Sequence, residues 1–239
     1  MAAFDHLTGG YVPPPTPKEK EIMGAHPWPV LKPYPFPEGM EIPRLMPFQE
    51  YPWNGDHFLA AEVLRLKGAH GLTCALETGT CLGSTAMWLA ENFTWVATFE
   101  LHEPYFNIAC ERIEDHPDGV DIHTEHIASV DGLRHYHRSM ASAELPLYWL
   151  DAHWTDNCPL LDELTVIAER GPHCCILIHD FQVPGTDFGF DSMPDGRPFN
   201  LELIAGHLDR IYGEGKYKVN YPTQVAGAKR GWISIEPCS

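Results

Sequence analysis

The sequence predicts an α/β domain in which helices cover both faces of a mainly parallel β-sheet. Short apolar runs alternate with amphipathic helical segments from residue 72 onward. Most of these runs are continuously apolar, which is typical of strands buried on both faces. The first run ends in an acidic residue and two glycines that lead directly into a helical segment. At 239 residues the chain is long enough for one such domain and an appendage.

The predicted elements form repeated strand–helix units after a short amphipathic helix at 55–70. Strands are predicted at 73–77, 95–99, 120–124, 147–150, 174–178, 216–220 and 231–235. The helices between them are predicted at 83–91, 103–114, 129–139, 158–170 and 199–212. Because no crossover helix separates the last two strands, one of them should run antiparallel. The expected fold is therefore a doubly wound, Rossmann-like sheet of seven strands with one antiparallel strand near the C-terminus.

Residues 1–54 form a separate N-terminal arm that holds more than half of the 22 prolines. Proline at this density excludes helix interiors and central strands. Residues 1–20 are compatible with a disordered tail, whereas aromatic side chains in 26–54 gain from burial. We expect 26–54 to pack on the core of the domain formed by 55–239 or on a partner subunit. A homodimer or larger homo-oligomer through the arm stays an open alternative.

Composition favours a soluble cytoplasmic protein that acts on a small molecule. Sixteen basic and 33 acidic residues give a net charge of −17, which disfavours DNA or RNA as a partner. The seven cysteines are odd in number and show no C-x-x-C or zinc spacing, as in reduced, cytosolic proteins. The N-terminal residues lack the basic and apolar regions of a signal peptide. No apolar run approaches the length of a membrane span.

The turn after the first predicted strand is the most informative motif. It reads Glu77-Thr78-Gly79-Thr80-Cys81-Leu82-Gly83-Ser84-Thr85. The spacing matches neither a dinucleotide fingerprint nor a P-loop, and Glu77 would repel a phosphate but attract an ammonium group. The motif resembles the first motif of class I S-adenosylmethionine (SAM) methyltransferases. That resemblance implies that Glu77, Thr78, Gly79 and Ser84 bind the cofactor, Glu77 and Gly79 at its amino acid end. A plain strand-to-helix turn capped by Ser84 or Thr85 is the alternative.

Two further cofactor contacts are expected at the ends of the next strands. Glu100 ends the second strand, 23 residues after Glu77, where a carboxylate can accept both hydroxyls of a ribose. The sequence Thr98-Phe99-Glu100 resembles the second methyltransferase motif. Ser129 follows the third strand, where these methyltransferases recognise the adenine edge. Both residues have structural alternatives, Glu100 as an acid at a helix N-terminus and Ser129 as an N-cap.

The stretch Asp151-Ala152-His153-Trp154 ends the fourth strand and resembles the Asp-His-Trp region of catechol O-methyltransferases, with one residue added. The resemblance implies that Asp151 binds a magnesium ion and that Trp154 packs against adenine. The family's general-base lysine is replaced, since Thr155 follows the tryptophan. His153 is the nearest replacement base, because imidazole titrates near neutral pH. A hydrogen-bonded core histidine is the alternative interpretation of His153.

The fifth strand ends in His179-Asp180 instead of the paired acids or the Asp-Asn of catechol-like enzymes. Asp151 and Asp180 are hard oxygen ligands suited to Mg²⁺, and His179 with His153 would favour a transition metal. A metal-free acid–base group made of the same residues is the alternative. The glycine-, proline- and phenylalanine-containing stretch 182–198 follows, and we expect it to border the site as a lid.

The sequence therefore favours a SAM-dependent methyltransferase for a small-molecule acceptor, with O-methylation preferred over N-methylation. SAM is the expected cofactor, with Mg²⁺ or another divalent metal as an optional second. His153, Asp151 and His179 are the candidate catalytic residues, and Asp151, Asp180 and His179 the candidate metal ligands. The resemblance extends over about 55–236 and is closest to bacterial members without an assigned substrate. A non-catalytic nucleotide-binding or partner subunit and a metal-dependent hydrolase are the rival interpretations.

Overall fold

A computed structural model describes residues 29, 31–41, 46, 48–116, 119–140, 144–153 and 158–238 of the chain. Its seven strands are β1 Cys74–Thr78, β2 Trp95–Glu100, β3 Ile122–His126, β4 Pro146–Leu150, β5 Cys175–His179, β6 Tyr217–Asn220 and β7 Trp232–Pro237. Its α-helices are α1 His57–His70, α2 Ser84–Asn92, α3 Glu103–Glu114, α4 Ser129–Ser139, α5 Leu160–Arg170 and α6 Leu201–Tyr212, and a 3-10 helix, Pro52–Gly55, precedes α1. None of the helices in the described ranges is both long and apolar enough to span a membrane.

The strands form one sheet in the order β3-β2-β1-β4-β5-β7-β6. The first five strands pair in parallel, whereas β7 is antiparallel to both β5 and β6. The doubly wound, Rossmann-like fold and its single antiparallel strand are thereby confirmed. The strand order reverses between β1 and β4, and this switch point is where open α/β sheets bind ligands.

Helices cover the two faces of the sheet, as the continuously apolar strands indicated. One buried cluster joins α1 and α2 to side chains such as Ala75 and Trp149. The other joins α4, α5 and α6 to the alternate positions, for example Leu76 and Tyr148. The strands β1, β2, β4, β5 and β7 are therefore buried on both sides, and their ends are left for ligands.

Side-chain caps explain where two of the helices begin. Asp56 accepts hydrogen bonds from the backbone N–H groups of Phe58 and Leu59 at the start of α1, at 2.9 and 3.3 Å. Asn200 accepts one from the N–H group of Leu203 at 3.0 Å, so α6 begins at 201 and not at 199. These residues satisfy N–H groups that have no acceptor within the helix.

The described part of the N-terminal arm lies against the domain. Trp53 is 1% exposed and packs edge-on against Trp88 and Trp149, with ring centroids 5.2 and 4.9 Å apart. The carbonyl oxygen of Asn54 accepts a hydrogen bond from the N–H group of Ala228, in the loop before β7. The remaining residues of the predicted arm, including 1–28, lie outside the described ranges.

Candidate active site

The turn after β1 passes very close to the end of β4. Gly79 has a φ of +82°, and a Cβ atom at this position would lie 2.7 Å from the carbonyl oxygen of Asp151. Glycine is therefore required for both the backbone conformation and the close approach. The N–H group of Asp151 in turn donates to the carbonyl and hydroxyl oxygens of Thr78, each at 3.2 Å. These contacts hold the ends of β1 and β4 together at the switch point.

Glu77 is a buried carboxyl group at this point, with an exposure of 1%. The hydroxyl of Thr98 donates to its Oε2 atom at 2.6 Å. Burial raises the pKa of Glu77 well above its ordinary value, and the negative charges of Asp151 and Glu100 add to the rise. The ionised form of Glu77 is thus unfavourable by itself, so the group gains most from a cationic ligand such as an ammonium.

Glu100, at the tip of β2, has a largely buried carboxylate held by backbone donors. The N–H groups of Cys81 and His102 donate to its two oxygen atoms, both at 2.8 Å. These bonds fix the plane of the carboxylate, and each oxygen keeps a further lone pair. Next to it, Leu101 is 64% exposed. A fixed acceptor pair beside an apolar surface suits a ligand with a diol and a flat ring.

The two serines predicted to contact the cofactor are both buried, and Ser84 has hydrogen-bond partners within the protein. The hydroxyl of Ser84 donates to the carbonyl oxygen of Glu50 in the arm at 3.0 Å and accepts from Arg112 at 3.1 Å. Ser129 is 6% exposed and is the first residue of α4. Ser84 is thus bound to the arm, and Ser129 lies deep at the edge of the site.

His179 is enclosed by two carboxylates. Its Nδ1 atom lies 3.0 Å from Oδ1 of Asp151 and 3.5 Å from Oδ1 of Asp180. Burial alone would lower the pKa of His179, but the negative charges of Asp180 and Asp151 outweigh burial and raise it to about 9. The ring is therefore protonated at neutral pH, so His179 is a better electrostatic partner than proton acceptor.

Asp180 also binds Arg230, a residue that the sequence did not single out. The Arg230 guanidinium donates to Asp180 from Nε and to Asp191 from Nη2, which ties the segment after β5 to the site. Burial raises the pKa of Asp180, but the histidines and Arg230 together hold it below its ordinary value. The carboxylate of Asp180 is thus kept ionised by neighbouring positive charge.

His153 completes the cluster from the loop after β4. Its side chain is fully buried, with Nε2 3.5 Å from Asp151 and 3.8 Å from Asp180. Neither ring nitrogen has a hydrogen-bond partner among the described residues. Burial lowers the pKa of His153, and the nearby carboxylates oppose this only in part. His153 is therefore a neutral imidazole at neutral pH, able to accept a proton or to ligate a metal.

The predicted metal ligands do come together. One ligand atom each from Asp151, His179 and Asp180 lies within 4.8 Å of the others, a spacing that one ion could bridge. Arg230 donates a hydrogen bond to Oδ1 of Asp180. The other oxygen, Oδ2, lies 3.8 Å from Nε2 of His153 and is left for an ion. Two carboxylates, the His179 imidazole and the unpartnered ring nitrogens of His153 form a donor set that suits a divalent ion.

Sequence reasoning missed Glu163, which lies on α5 and is completely buried. Neither of its oxygens has a hydrogen bond of standard geometry among the described residues. Burial raises its pKa to about 7, although the hydroxyls of Ser129 and Thr78 counteract part of the rise. A signal was available, since Glu163 lies on the same apolar helical stripe as Leu160 and Leu164.

Eight of the predicted site residues lie along one edge of the sheet, at or next to the strand ends. They are Glu77, Thr78, Gly79, Glu100, Asp151, His153, His179 and Asp180. Trp154 and Thr155 lie outside the described residues. The edge thus carries the carboxyl groups of Glu77 and Glu100 around β1 and β2, and the Asp151, His153, His179 and Asp180 cluster at β4 and β5.

Several solved structures that share this fold are described as methyltransferases. An O-methyltransferase from Bacillus cereus in complex with SAH is 19% identical, with a TM-score of 0.52, covering 74% of this chain and 79% of that one. The O-methyltransferase TomG from Streptomyces achromogenes, involved in tomaymycin synthesis and in complex with SAM, is 15% identical, with a TM-score of 0.53, covering 73% of this chain and 77% of that one. The SAH-bound methyltransferase PaMTH1 from Podospora anserina is 15% identical, with a TM-score of 0.50, covering 77% of this chain and 79% of that one. No family model and no curated protein sequence matches the chain. At these identities the comparison establishes a shared fold.

Proposed function

We propose that this protein is a SAM-dependent methyltransferase that methylates a hydroxyl group of a small molecule. The observation that carries the proposal is the pairing of Glu77 and Glu100 at the switch point. A buried carboxyl that favours a cationic ligand lies near a fixed carboxylate able to bind a diol. SAM carries both groups, an ammonium at one end and a ribose diol, without any phosphate.

The shared fold supports this proposal, since the three similar structures named above contain SAM or SAH. In this protein Glu77, Thr78 and Gly79 would hold the amino acid end of SAM, with Ser84 beside them in the same turn. Glu100 would bind the ribose. Ser129 and Trp154 would border the adenine, and the exposed side chain of Leu101 offers an apolar surface to its ring.

The chemistry requires an acceptor held in line with the methyl group and a group that removes its proton. His153 is suited to remove the proton because it is neutral and fully buried beside the two carboxylates. Its partner Asp151 would stabilise the imidazolium that forms. The positive charge of His179 would stabilise an acceptor oxygen that is losing its proton.

A divalent metal fits the same cluster. Asp151, His179 and Asp180 would be its ligands, with His153 as a fourth, and the imidazoles favour a transition metal such as Mn²⁺ or Co²⁺ over Mg²⁺. When bound, such an ion lowers the pKa of a coordinated hydroxyl group. Binding would require His179 to give up its proton, so we expect metal affinity to increase with pH.

Equilibrium titration of the full-length protein with SAH, SAM and ATP tests the proposal. We expect SAM and SAH to bind and ATP not to bind, because the buried Glu77 carboxyl offers a phosphate no positive charge to balance its own. Binding of ATP alone would favour a nucleotide-binding subunit. Binding of neither would favour the hydrolase alternative. Mass spectrometry of reactions with a panel of phenols, alcohols and amines, each supplied with SAM, would then show which acceptors gain a methyl group.

A further inference from the structure

Arg112 of α3 is a buried cation next to the turn that follows β1. The residue is only 2% exposed. It lies on the same face of α3 as Ile108 and Ala109, which are also buried. On this face the helix packs tightly against the turn, since a Cβ atom at Gly83 would lie 3.4 Å from the Cβ atom of Ala109. The side chain of Arg112 therefore enters the space between α3, the turn and the arm.

The guanidinium of Arg112 connects two segments that are distant in sequence. Its Nη1 atom donates to the carbonyl oxygen of Leu82 and, at 3.1 Å, to the hydroxyl of Ser84. Its Nη2 atom donates to the carbonyl oxygen of Tyr34 at 2.7 Å. The ring of Phe36 lies 4.3 Å from the guanidinium carbon. Arg112 thus binds the turn with one nitrogen and the arm with the other.

These partners are unusual for a buried charge. They are carbonyl oxygens, one hydroxyl and an aromatic ring, and burial lowers the pKa of Arg112 to about 10. Burying a cation is unfavourable unless its donors are satisfied. The planar guanidinium presents its donors in a rigid fork that fixes the positions of its acceptors, whereas the three donors of a lysine ammonium rotate freely. Together these contacts indicate that Arg112 fixes the position of the turn relative to the arm.

The same turn is joined to the arm by two further hydrogen bonds. Ser84 donates to the carbonyl oxygen of Glu50, and the N–H group of Trp53 donates to the hydroxyl of Thr85 at 3.0 Å. On the other side of the turn, the N–H group of Cys81 holds Glu100. A displacement of the turn would therefore move a donor to the carboxylate assigned to the ribose.

We propose that Arg112 is a positioning residue for the cofactor, which fixes the 81–85 turn by tying it to the N-terminal arm. This inference rests on the proposed function and extends it, because it makes the arm part of the cofactor site. Arg112 would act through Leu82 and Ser84 without touching the cofactor. Loss of the guanidinium should loosen the turn and weaken SAM and SAH binding, even in a folded protein.

The test compares R112K and R112M with the wild type in the full-length protein. The matched control is R65M, which removes another arginine that bridges two elements, through Glu62 on α1 and Glu236 on β7. SAH affinity is measured by calorimetry, and amide hydrogen exchange of 81–85 by mass spectrometry without any ligand. We expect R112K and R112M to bind SAH at least about tenfold more weakly and to exchange faster in the turn, while R65M changes neither.

Wild-type affinity in R112K would overturn the inference, and so would weaker binding without faster exchange in the turn. If R112M does not fold, R112K and Phe36→Leu, which removes the ring beneath the guanidinium, decide by the same two measurements. If the wild type itself does not bind SAH, the proposed function fails. In that case unchanged exchange at 81–85 in R112K would show separately that Arg112 does not hold the turn.

Discussion

The Nε2 atom of His153 lies 3.5 Å from the carboxylate of Asp151, two residues earlier in the chain, and the His153 side chain is fully buried. The carboxylate can stabilise the protonated ring, and burial keeps the ring neutral until it receives a proton. A neutral imidazole beside a carboxylate is suited to general-base catalysis.

Replacing His153 by asparagine should therefore lower the rate of methyl transfer and leave cofactor binding intact. General-base catalysis typically contributes about 10²- to 10⁴-fold, so kcat should fall by about that factor. SAH affinity should stay within about twofold of the wild type, since His153 is assigned to the acceptor side. The exposed His123 offers a control in His123→Asn. Unchanged kcat in H153N would assign the proton transfer to another group.

Removal of the Glu100 carboxylate should weaken SAM binding. Glu100→Ala loses the acceptors for two ribose hydroxyls, and hydrogen bonds to a charged group contribute about 1.5–3 kcal/mol. Isothermal titration with SAH measures the change. Glu103→Gln, three residues further on an exposed position of α3, is the control and should bind normally. A folded Glu100→Ala protein with wild-type affinity would remove Glu100 from the site.

A divalent metal should stabilise the wild-type protein through the cluster of Asp151, His179 and Asp180. Free Mn²⁺ or Co²⁺ at about 100 times its Kd should add about 2.7 kcal/mol, which raises Tm by about 5–10 °C for a chain of this size. The shift should disappear in chelator and in Asp151→Asn, but persist in the exposed-loop variant Asp187→Asn. An equal shift in Asp151→Asn would locate the ion elsewhere, and no shift in the wild type would leave the cluster an acid–base role.

Glu163 should make the protein less stable as the pH rises. Its pKa is raised to about 7 in the folded state by burial, so the folded protein retains a proton that the unfolded chain loses above about pH 4.5. The free energy of unfolding should therefore fall between about pH 4.5 and pH 7, by on the order of 3 kcal/mol at most.

Urea unfolding of the wild type and Glu163→Gln at about pH 5 and about pH 8 measures this dependence. The variant cannot ionise at this position, so its stability should change less over the interval. Glu169→Gln alters an exposed residue further along α5 and should keep the wild-type profile. If the free energy of unfolding changes equally between the two pH values in the wild type and in Glu163→Gln, Glu163 does not titrate in this interval.

The sequence by itself determined the order and type of the elements and which candidate residues lie at the ends of the strands. Hydrophobic runs and helical periodicity are local properties, and they located the seven strands and six α-helices of the described residues to within about two residues. The glycine turn after β1 could also be predicted, because Gly79 and Gly83 adopt a positive φ that glycine accepts more readily than other residues. Strand ends of a parallel sheet must share an edge, so Glu77, Glu100 and Asp151 could be expected there together.

Only the tertiary structure decided which side chains hold that site. Arg230 reaches Asp180 from 50 residues away, and Arg112 reaches Tyr34 from 78 residues away. Periodicity indicates that a residue faces the core, but it does not identify the partner that meets it there. For the same reason Ser84, placed in the cofactor turn by its motif, was found to donate its hydroxyl to Glu50 of the arm. Long-range contacts depend on how the elements pack, and that information is absent from any one segment of the sequence.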